Sequence, residues 1–413
     1  MNEKICIVIG ASHAGVTLAL QLRKEGWDGL IKLIGAEREL PYHRPPLSKE
    51  YLAGEKDLDA IRLRPVRVFE DNTIELLLGT SVLKIDRDVS AVLLDDGQTL
   101  HYDKLAVCTG ALVQTIPLGA TLENVFYIRT AADAAQLKEI SQPGRRAVVI
   151  GAGYIGLETA AVLRQRGLEV TVIEMAERIL SRVTGERMSA YIAALHTSHG
   201  VEIKTSTRVT DIRGDSDAAR ITCDDGSEYT ADFVIVGIGI MPNVGLAENA
   251  GLEIDEGVLV DEYACSSDPH IYAAGDCTRH PSAIFKRLIR LESVQNANDQ
   301  ARVAAANICG KQTAYEAVPW FWSDQYQVKL QMVGLSSGFD EEVCRSDPDD
   351  ADGTGFALFY LQDSRVIAVE CVGRPKEFMA AKQLVKSGQQ IPAARLADES
   401  VVPADFIAAP GTL

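Results

Sequence analysis

Two sets of regularly spaced glycines are the residues of this sequence best suited to chemistry. Gly151, Gly153 and Gly156 form a complete G-x-G-x-x-G directly after the apolar run 146–150. In such a motif the first glycine permits a tight turn, the second lets the backbone approach a pyrophosphate, and the third lets a helix pack closely on a strand. The start of that helix would direct free N–H groups and its positive dipole end towards the phosphates. The spacing therefore predicts a dinucleotide site.

The acidic residue expected about 20 residues after such a turn is Glu174, at the end of the next apolar run. Its carboxylate can accept hydrogen bonds from the adenosine ribose and would repel a 2′-phosphate, so NADH is favoured over NADPH. Glu177 adds to this repulsion. Arg178 is the argument for NADPH, because an arginine could bind the phosphate, but we interpret it as a solvent-exposed charge.

The first glycine set is degenerate, because Ser12 occupies the second glycine position between Gly10 and Gly15. Serine is small enough to let the backbone approach a phosphate. Further residues suited to a second dinucleotide site lie far apart in the sequence: the acid Glu37, the cations Arg44 and Lys49 beside two prolines, and Asp276, which can bind a sugar-alcohol chain.

Both glycine sets lie in a strand–helix–strand pattern, which predicts βαβ units with parallel strands and right-handed crossovers. From residue 320 onward the pattern changes to a strand at 326–335, a hairpin formed by 356–361 and 366–372, and an amphipathic helix at 376–387. We therefore predict an α/β fold with two Rossmann-like dinucleotide-binding domains, laid out as in glutathione-reductase-type flavoproteins, and a small α+β C-terminal domain. The predicted first unit comprises 4–10, 14–26 and 30–35, and the second comprises 146–151, 154–167 and 169–174.

Composition and charge exclude several classes of protein. The 413 residues carry a net charge of −17, which argues against nucleic-acid binding because that needs a basic surface. No run approaches the roughly 18 uncharged apolar residues that span a bilayer, and the start shows no secretory signal. The eight cysteines are scattered, without a C-x-x-C pair or zinc spacing. We therefore expect reduced thiols, no metal site and a cytoplasmic protein.

Several segments together resemble the FAD-dependent ferredoxin reductases that serve Rieske-type aromatic-ring dioxygenases and bacterial cytochromes P450. The most specific segments are 290–297 and 319–326, and the others are 10–15, 44–49, 108–110, 151–156 and 272–277. Rubredoxin reductases and apoptosis-inducing factor share much of this pattern. The resemblance implies an FAD-binding domain in two parts, 1–113 and 244–319, an NADH-binding domain at 114–243 and the C-terminal domain at 320–413.

The resemblance also implies which residues contact each cofactor. It places NADH at Gly151, Gly153, Tyr154, Ile155, Gly156, Glu158, Glu174, Arg182 and Gly239. It places FAD at Gly10, Ser12, Ala14, Gly15, Glu37, Arg44, Lys49, Val82, Arg129, Asp276, Glu292, Val294 and Trp320. We expect three of these residues to act in the reaction, with Lys49 and Glu158 paired at the nicotinamide–flavin junction and Trp320 at the flavin edge.

The expected activity is electron transfer from NADH through FAD to a [2Fe–2S] ferredoxin, which feeds an oxygenase in aromatic hydrocarbon catabolism. No close pair of thiols can take electrons from the flavin, so they must pass outward to a partner protein or to oxygen. Two alternatives stay open: a rubredoxin reductase, and a non-enzymatic FAD/NADH redox-sensing scaffold like apoptosis-inducing factor. We predict that an acidic ferredoxin docks on the basic segment that contains Lys286, Arg287 and Arg290.

Overall fold

A computed structural model describes residues 4–215, 217–346 and 355–407 of the chain. These residues form two compact units. Unit 1 comprises the described residues of Met1–His43, Leu58–Leu112 and Met241–Pro319, and unit 2 comprises those of Arg44–Asp57, Val113–Ile240 and Trp320–Leu413. Within the described ranges, no helix has both the length and the apolar character needed to cross a membrane.

The regular elements are numbered here in chain order. The strands β1 to β26 are Ile5–Ile9, Leu30–Gly35, Ile74–Leu78, Val82–Asp86, Ala91–Leu94, Thr99–His101, Lys104–Val107, Ala111–Val113, Val125–Phe126, Arg146–Ile150, Glu169–Ile173, Glu202–Lys204, Val209–Gly214, Ala219–Cys223, Glu228–Ala231, Phe233–Val236, Ile240–Pro242, Val258–Leu259, Ile271–Ala273, Thr278–Ser282, Arg287–Ile289, Trp320–Gln325, Val328–Gly334, Glu341–Ser346, Phe356–Gln362 and Arg365–Val372. The helices α1 to α10 are His13–Glu25, Glu50–Ala53, Val66–Asp71, Ala131–Ile140, Tyr154–Gln165, Glu186–Ser198, Gly245–Asn249, Val294–Ile308, Pro375–Ser387 and Ala393–Ala397. Short 3-10 helices are Pro45–Ser48, Asp59–Ile61 and Pro403–Phe406.

Unit 1 is built on a parallel sheet with the strand order β19-β7-β1-β2-β3. The predicted first βαβ unit is confirmed as β1, α1 and β2. Helix α1 packs on α8 through small and medium apolar side chains, among them Ala19, Leu22, Ala301 and Ala305. Small side chains let the two helix backbones approach closely. The carboxyl ends of β1, β7 and β19 meet at one edge of the sheet, where open α/β sheets bind ligands.

Unit 2 contains a second parallel sheet, in the order β12-β11-β10-β16-β9, and an antiparallel sheet, in the order β22-β23-β26-β25-β24. Val149 of β10, Leu157 of α5, and Leu330 and Leu358 of the antiparallel sheet belong to one apolar cluster. The two sheets of unit 2 therefore share a core. The predicted α/β class, with two Rossmann-like sheets and a C-terminal α+β region, is confirmed.

The C-terminal region matches the predicted hairpin and helix but adds two strands, β22 and β24. Residues Phe356–Gln362 and Arg365–Val372 pair around Asp363 and Ser364, and α9 begins one residue before the predicted start. The predicted strand at 326–335 begins only at Val328, because Tyr326 has φ of 53° and forms the turn from β22. Strand β22 itself is not predicted by the sequence analysis. It is an edge strand whose first three side chains are all half-buried, so it lacks the alternation that marks a strand.

One buried acid in unit 2 makes the stability of the protein depend on pH. Glu370 of β26 is 3% exposed. It accepts hydrogen bonds from Thr184 Oγ1 at 2.5 Å and Tyr360 OH at 2.8 Å. Burial outweighs these two bonds and raises the pKa of Glu370 to about 7. Between its ordinary pKa and 7, the folded protein keeps a proton that the unfolded chain has released, so stability falls as pH rises.

Between pH 4.5 and 7, ionisation of Glu370 should lower the unfolding free energy of wild type by about 3 kcal/mol. We expect Glu370→Gln not to show this fall. Glutamine keeps the acceptor oxygen and cannot ionise. The measurement is the unfolding temperature of each protein across this pH range. Glu341→Gln, at an exposed position of the same sheet, is the matched control. Parallel profiles for wild type and Glu370→Gln would contradict the assignment.

Candidate active site

The glycine turn between β10 and α5 has the geometry that the motif predicts. Gly151 has φ of 101°, and a Cβ added there would lie 2.5 Å from the Gly237 carbonyl oxygen. A Cβ added to Gly156 would lie 2.2 Å from the Gly151 carbonyl oxygen, so packing requires glycine at both positions. In contrast, no described atom lies within 4 Å of a Cβ added to Gly153. Packing does not explain this glycine, whereas a ligand that approaches the backbone there does.

The surroundings of this turn suit a dinucleotide. Gly153 is the N-cap of α5, and no side chain caps the first turn of the helix, which leaves N–H groups for phosphate oxygens. Ile155 in that turn is 47% exposed. The Leu180 N–H donates to the Ala152 carbonyl at 3.0 Å, which brings the loop with exposed Arg182 beside the turn.

Gly239 lies at another border of the same turn. It follows β16, the neighbour of β10, and its φ is 118°. The carbonyl of Gly239 accepts from the Gln114 N–H at 2.9 Å. The structure of unit 2 therefore brings the residues predicted for NADH to one edge of its parallel sheet, apart from Glu158, which lies one turn further along α5.

Glu174 lies at the carboxyl end of β11, against the glycine turn. Its Oε2 accepts from the Ala152 N–H and its Oε1 from the Ala176 N–H, both at 2.8 Å. These bonds hold the carboxylate in place, and each oxygen can still accept from a ribose hydroxyl. Arg178 donates to the Ser181 carbonyl at 3.1 Å. Arg178 is half-buried, and its interpretation as a solvent-exposed charge that does not bind a 2′-phosphate stays a prediction.

We expect Glu174→Ala to lose the preference for NADH. The change removes charge-assisted hydrogen bonds worth about 1–2 kcal/mol and the repulsion of a 2′-phosphate. The measurement is kcat/KM for NADH and for NADPH. Glu169→Ala, at the exposed other end of β11, is the control. Equal kcat/KM for the two cofactors in wild type would refute the assignment.

The degenerate glycine turn of unit 1 fits a second dinucleotide. Gly10 has φ of 109°, and a Cβ added there would lie 2.1 Å from the Cys108 carbonyl oxygen. A Cβ added to Gly15 would lie 1.8 Å from the Gly10 carbonyl oxygen. Ser12 instead has φ of −114° and is the N-cap of α1. Serine is tolerated because this position needs no left-handed conformation.

Asp276 follows β19 at the same edge of the unit 1 sheet. A Cβ added to Gly275 would lie 3.2 Å from the Ala14 Cβ, so this turn lies directly against α1. The Gln300 Oε1 accepts from the Gly275 N–H and from Thr278 Oγ1, both at 2.8 Å. Gln300 therefore holds the turn that presents Asp276, a role that the sequence analysis missed.

The remaining residues predicted for FAD lie in both units. In unit 1, Glu37 accepts a hydrogen bond from the Tyr42 hydroxyl, and Val82 is buried. Also in unit 1, Val294 is the first residue of α8, and Glu292 forms an ion pair with Arg290. In unit 2, Arg44 Nη1 donates to the Arg129 carbonyl at 2.6 Å, so these two predicted residues lie together.

Lys49 and Glu158 form the predicted pair, and both belong to unit 2. Lys49 Nζ lies 2.6 Å from Glu158 Oε2, and Glu158 is 1% exposed. Glu158 also accepts from Ser48 Oγ and Ser323 Oγ, each at 2.7 Å. Burial raises the pKa of Glu158, and Lys49 and the two hydroxyls oppose this effect. The pairing is confirmed; the place of the pair beside a flavin stays a prediction.

Local sequence explains how Lys49 reaches Glu158. Pro45 and Pro46 start a 3-10 helix, because proline presets φ and needs no hydrogen bond at a helix start. Lys49 follows with φ of −130° and ψ of −116° and joins this helix to α2. Its Nζ also donates to the Pro45 carbonyl at 3.3 Å.

Aromatic side chains surround the start of β22. Trp320 is half-buried, and Lys382 Nζ lies 4.3 Å from the centroid of its ring. Tyr154 packs on Phe321 with ring centroids 5.0 Å apart, and its hydroxyl contacts Met332 Sδ at 2.7 Å. The role of Trp320 at a flavin edge stays a prediction.

The basic segment divides into two parts. Lys286 and Arg287 are exposed at the hairpin between β20 and β21, where Lys286 has φ of 52°. Arg290 is half-buried and forms the ion pair with Glu292. Its charge is therefore neutralised locally, and within this segment Lys286 and Arg287 are the exposed charges that a partner can contact.

Among the described residues, no group of three His, Cys, Asp or Glu side chains could hold a metal ion.

Ser48, Ser323 and Gln300 are the site residues that the sequence analysis missed. Ser48 and Ser323 lie inside segments 44–49 and 319–326, which carried the resemblance, so a signal for them existed. Nothing in the sequence says that both hydroxyls meet Glu158.

Comparisons with known proteins agree with this architecture. Residues 4–301 match the model of the pyridine nucleotide-disulphide oxidoreductase family, and residues 320–403 match the reductase C-terminal domain. The chain is 42% identical to putidaredoxin reductase CamA from Pseudomonas putida, over 99% of this chain and 97% of that protein. It is 41% identical to the ferredoxin–NAD(+) reductase component of the anthranilate 1,2-dioxygenase system from Burkholderia cepacia, over 97% of this chain and 98% of that protein. Among solved structures, the covalent putidaredoxin reductase–putidaredoxin complex matches with a TM-score of 0.94 and 41% identity, over 98% of each chain.

The predicted enzyme class is confirmed by these relatives, and the predicted cofactors, FAD and NAD(H), are those that membership in the family implies. The open space over Gly153, the left-handed turns at Gly10 and Gly151, and the acids at the strand ends fit two dinucleotides. The chain belongs to the pyridine nucleotide-disulphide oxidoreductase family and, within it, to the ferredoxin reductases with a reductase C-terminal domain.

Proposed function

We propose that this protein transfers electrons from NADH through FAD to a [2Fe–2S] ferredoxin, which supplies an oxygenase that acts on an aromatic compound or belongs to the cytochromes P450. The relatives named for anthranilate and p-cumate dioxygenase systems support the aromatic pathway. Putidaredoxin reductase supports the ferredoxin partner. We further propose the domain boundaries 1–113 with 244–319 for FAD, 114–243 for NADH and 320–413 for the C-terminal domain, and a cytoplasmic location, where NADH is available.

The state of the cysteines carries this proposal over a thiol reductase. All eight cysteines are free. Cys108 and Cys277 lie beside the residues predicted for FAD, and burial raises the pKa of both thiols. A free thiol cannot accept electrons from a reduced flavin, because only a disulfide does so, and a thiol with a raised pKa reacts poorly with an external disulfide. Electrons must therefore leave to a partner protein or to oxygen.

The residues of the chain bind and orient the cofactors. Bound FAD would supply the conversion of a hydride transfer from NADH into single-electron transfers. Gly153 and the α5 N-terminus would bind the NADH pyrophosphate, and Glu174 would bind the ribose. Glu158 holds the ammonium of Lys49, and Gln300 holds the turn that presents Asp276.

The test is rapid reduction of the purified flavoprotein by NADH, followed by mixing with one of three acceptors: a [2Fe–2S] ferredoxin, a rubredoxin or a disulfide. We expect fast reduction of the ferredoxin and no reaction with the disulfide. Faster reduction of rubredoxin would favour a rubredoxin reductase. Slow flavin reduction with a long-lived charge-transfer band would favour a redox-sensing scaffold.

We also propose that Lys286 and Arg287 form the docking patch for the ferredoxin. Both are exposed, and between Arg287 and the buried Ile289 lies exposed Leu288, so the patch combines charge with apolar surface. A basic patch is needed because the net charge of −17 would otherwise repel an acidic partner.

The double variant Lys286→Glu/Arg287→Glu should raise KM for the ferredoxin about tenfold at low salt, because steering charges act on association. The salt dependence should also weaken, since the attraction extends over a Debye length of about 8–10 Å. Lys24→Glu/Arg67→Glu makes the same charge change elsewhere on unit 1 and is the control. If the double variant keeps the wild-type KM for the ferredoxin and the wild-type salt dependence, and also reduces a small dye normally, the docking site lies elsewhere.

A further inference from the structure

A chain of buried polar side chains continues from Glu158 into the interior of unit 2. Ser323 Oγ donates to Glu158 Oε1 at 2.7 Å, and Gln325 Nε2 donates to Ser323 Oγ at 3.1 Å. Gln325 Oε1 lies 2.8 Å from His196 Nε2. All four residues are buried. The chain therefore joins α5, β22 and α6 behind the pair of Lys49 and Glu158.

The direction of these hydrogen bonds follows from Glu158. A carboxylate only accepts, so the Ser323 hydroxyl must donate to it. Ser323 Oγ then accepts from the Gln325 amide, which leaves Gln325 Oε1 to face His196. An amide oxygen cannot donate, so His196 must carry its proton on Nε2. Every donor in the chain points towards Glu158, and such aligned bonds strengthen one another.

The other nitrogen of His196 agrees with this assignment. His196 Nδ1 is buried and has no hydrogen-bond partner among the described residues. A second proton on the ring would have to sit there without an acceptor. Burial lowers the pKa of His196 to about 4, and His199 adds to this effect. His196 is therefore neutral at physiological pH and locked in one tautomer.

We propose that Ser323, Gln325 and His196 are positioning residues that keep Glu158 an oriented carboxylate, so that its second oxygen holds the ammonium of Lys49 in place. The role of the Lys49–Glu158 pair in hydride transfer rests on the proposed function, whereas the orientation of Glu158 does not. The charged or titratable groups that face Glu158 are Lys49 and Tyr154, and those that face His196 are His199 and Tyr326. Burial of three polar side chains costs more free energy than burial of apolar ones would, so filling the core does not by itself explain these residues.

The first experiment reads the hydrogen-bond direction in the purified flavoprotein. ¹⁵N NMR of the protein labelled at its seven histidines reports the tautomer of each ring, and loss of a signal in His196→Gln identifies His196. We expect the Nε2–H tautomer without titration between about pH 5.5 and 8. An Nδ1–H tautomer, or titration of His196 in this range, would overturn the proposal.

The second experiment reads the effect on Glu158 through the pH dependence of flavin reduction at saturating NADH. Ser323→Ala removes a donor to the carboxylate, so the acidic limb should move up by about one pH unit. Gln325→Met should move the acidic limb less and in the same direction. Ser323→Thr, which keeps the hydroxyl, should show the wild-type profile. The Kd for NADH should not change.

Asp324→Asn is the matched control, because Asp324 lies between Ser323 and Gln325 on the other face of β22. Profiles of Ser323→Ala and Gln325→Met that coincide with that of Asp324→Asn would overturn the proposal. If NADH fails to reduce the wild-type flavin at all, the proposed function fails instead. The tautomer of His196, Nε2–H or Nδ1–H, then still tests the proposed direction of the hydrogen bonds.

Discussion

Glu158→Gln is expected to slow flavin reduction by NADH roughly 100-fold, a loss typical of a misplaced charged group at a reaction centre. The variant keeps the size of the side chain but leaves Lys49 without its partner. The unpaired ammonium favours a reduced, anionic flavin, so we also expect the midpoint potential to rise by about 30 mV, which corresponds to about 1.4 kcal/mol for two electrons. Stopped-flow absorbance and redox titration measure the two effects.

The control for this prediction is Glu139→Gln, an exposed glutamate on α4 of the same unit. It removes the same charge without touching Lys49. If Glu158→Gln leaves both the rate and the potential unchanged, the pair is an ordinary structural ion pair. In that case the variant should still lose stability by about 3–5 kcal/mol, the usual cost of breaking a buried pair.

Gly153→Val is expected to lower kcat/KM for NADH by roughly 100-fold or more while the protein stays folded and keeps its FAD. The reason is that no described atom lies within 4 Å of an added Cβ, so the new side chain disturbs no packing. It would instead occupy the space that we assign to the pyrophosphate. Flavin content, unfolding temperature and NADH kinetics together test this.

Gly245→Val is a closely matched control. Gly245 also begins a helix, has no left-handed φ and has open space around an added Cβ. If both variants behave alike, the loss reflects glycine replacement at a helix start. If Gly153→Val binds NADH normally, the dinucleotide does not lie over this turn.

The glycine turns are the part of the fold that local sequence determines most fully. Gly10, Gly151 and Gly156 are needed because other backbone atoms lie within 2.5 Å of an added Cβ, and a motif with fixed spacing records such local needs. The βαβ units could be predicted for the same reason, since strand and helix periodicity are properties of short segments. The tolerance of Ser12 was predicted from its size, and the structure adds that this position has no left-handed φ.

Other features could not be predicted because they depend on residues far apart in the chain. Ser48 and Ser323 lie 110 and 165 residues from Glu158, yet both donate to its carboxylate. Arg290 belongs to a basic segment by sequence, but its charge is balanced by Glu292. Local pattern thus determined the fold class and both dinucleotide turns, whereas FAD as one of the cofactors was implied by the family resemblance. Tertiary structure alone decided which hydroxyls and amides orient the buried carboxylate, because hydrogen bonds between distant residues form only once the sheets and helices have packed.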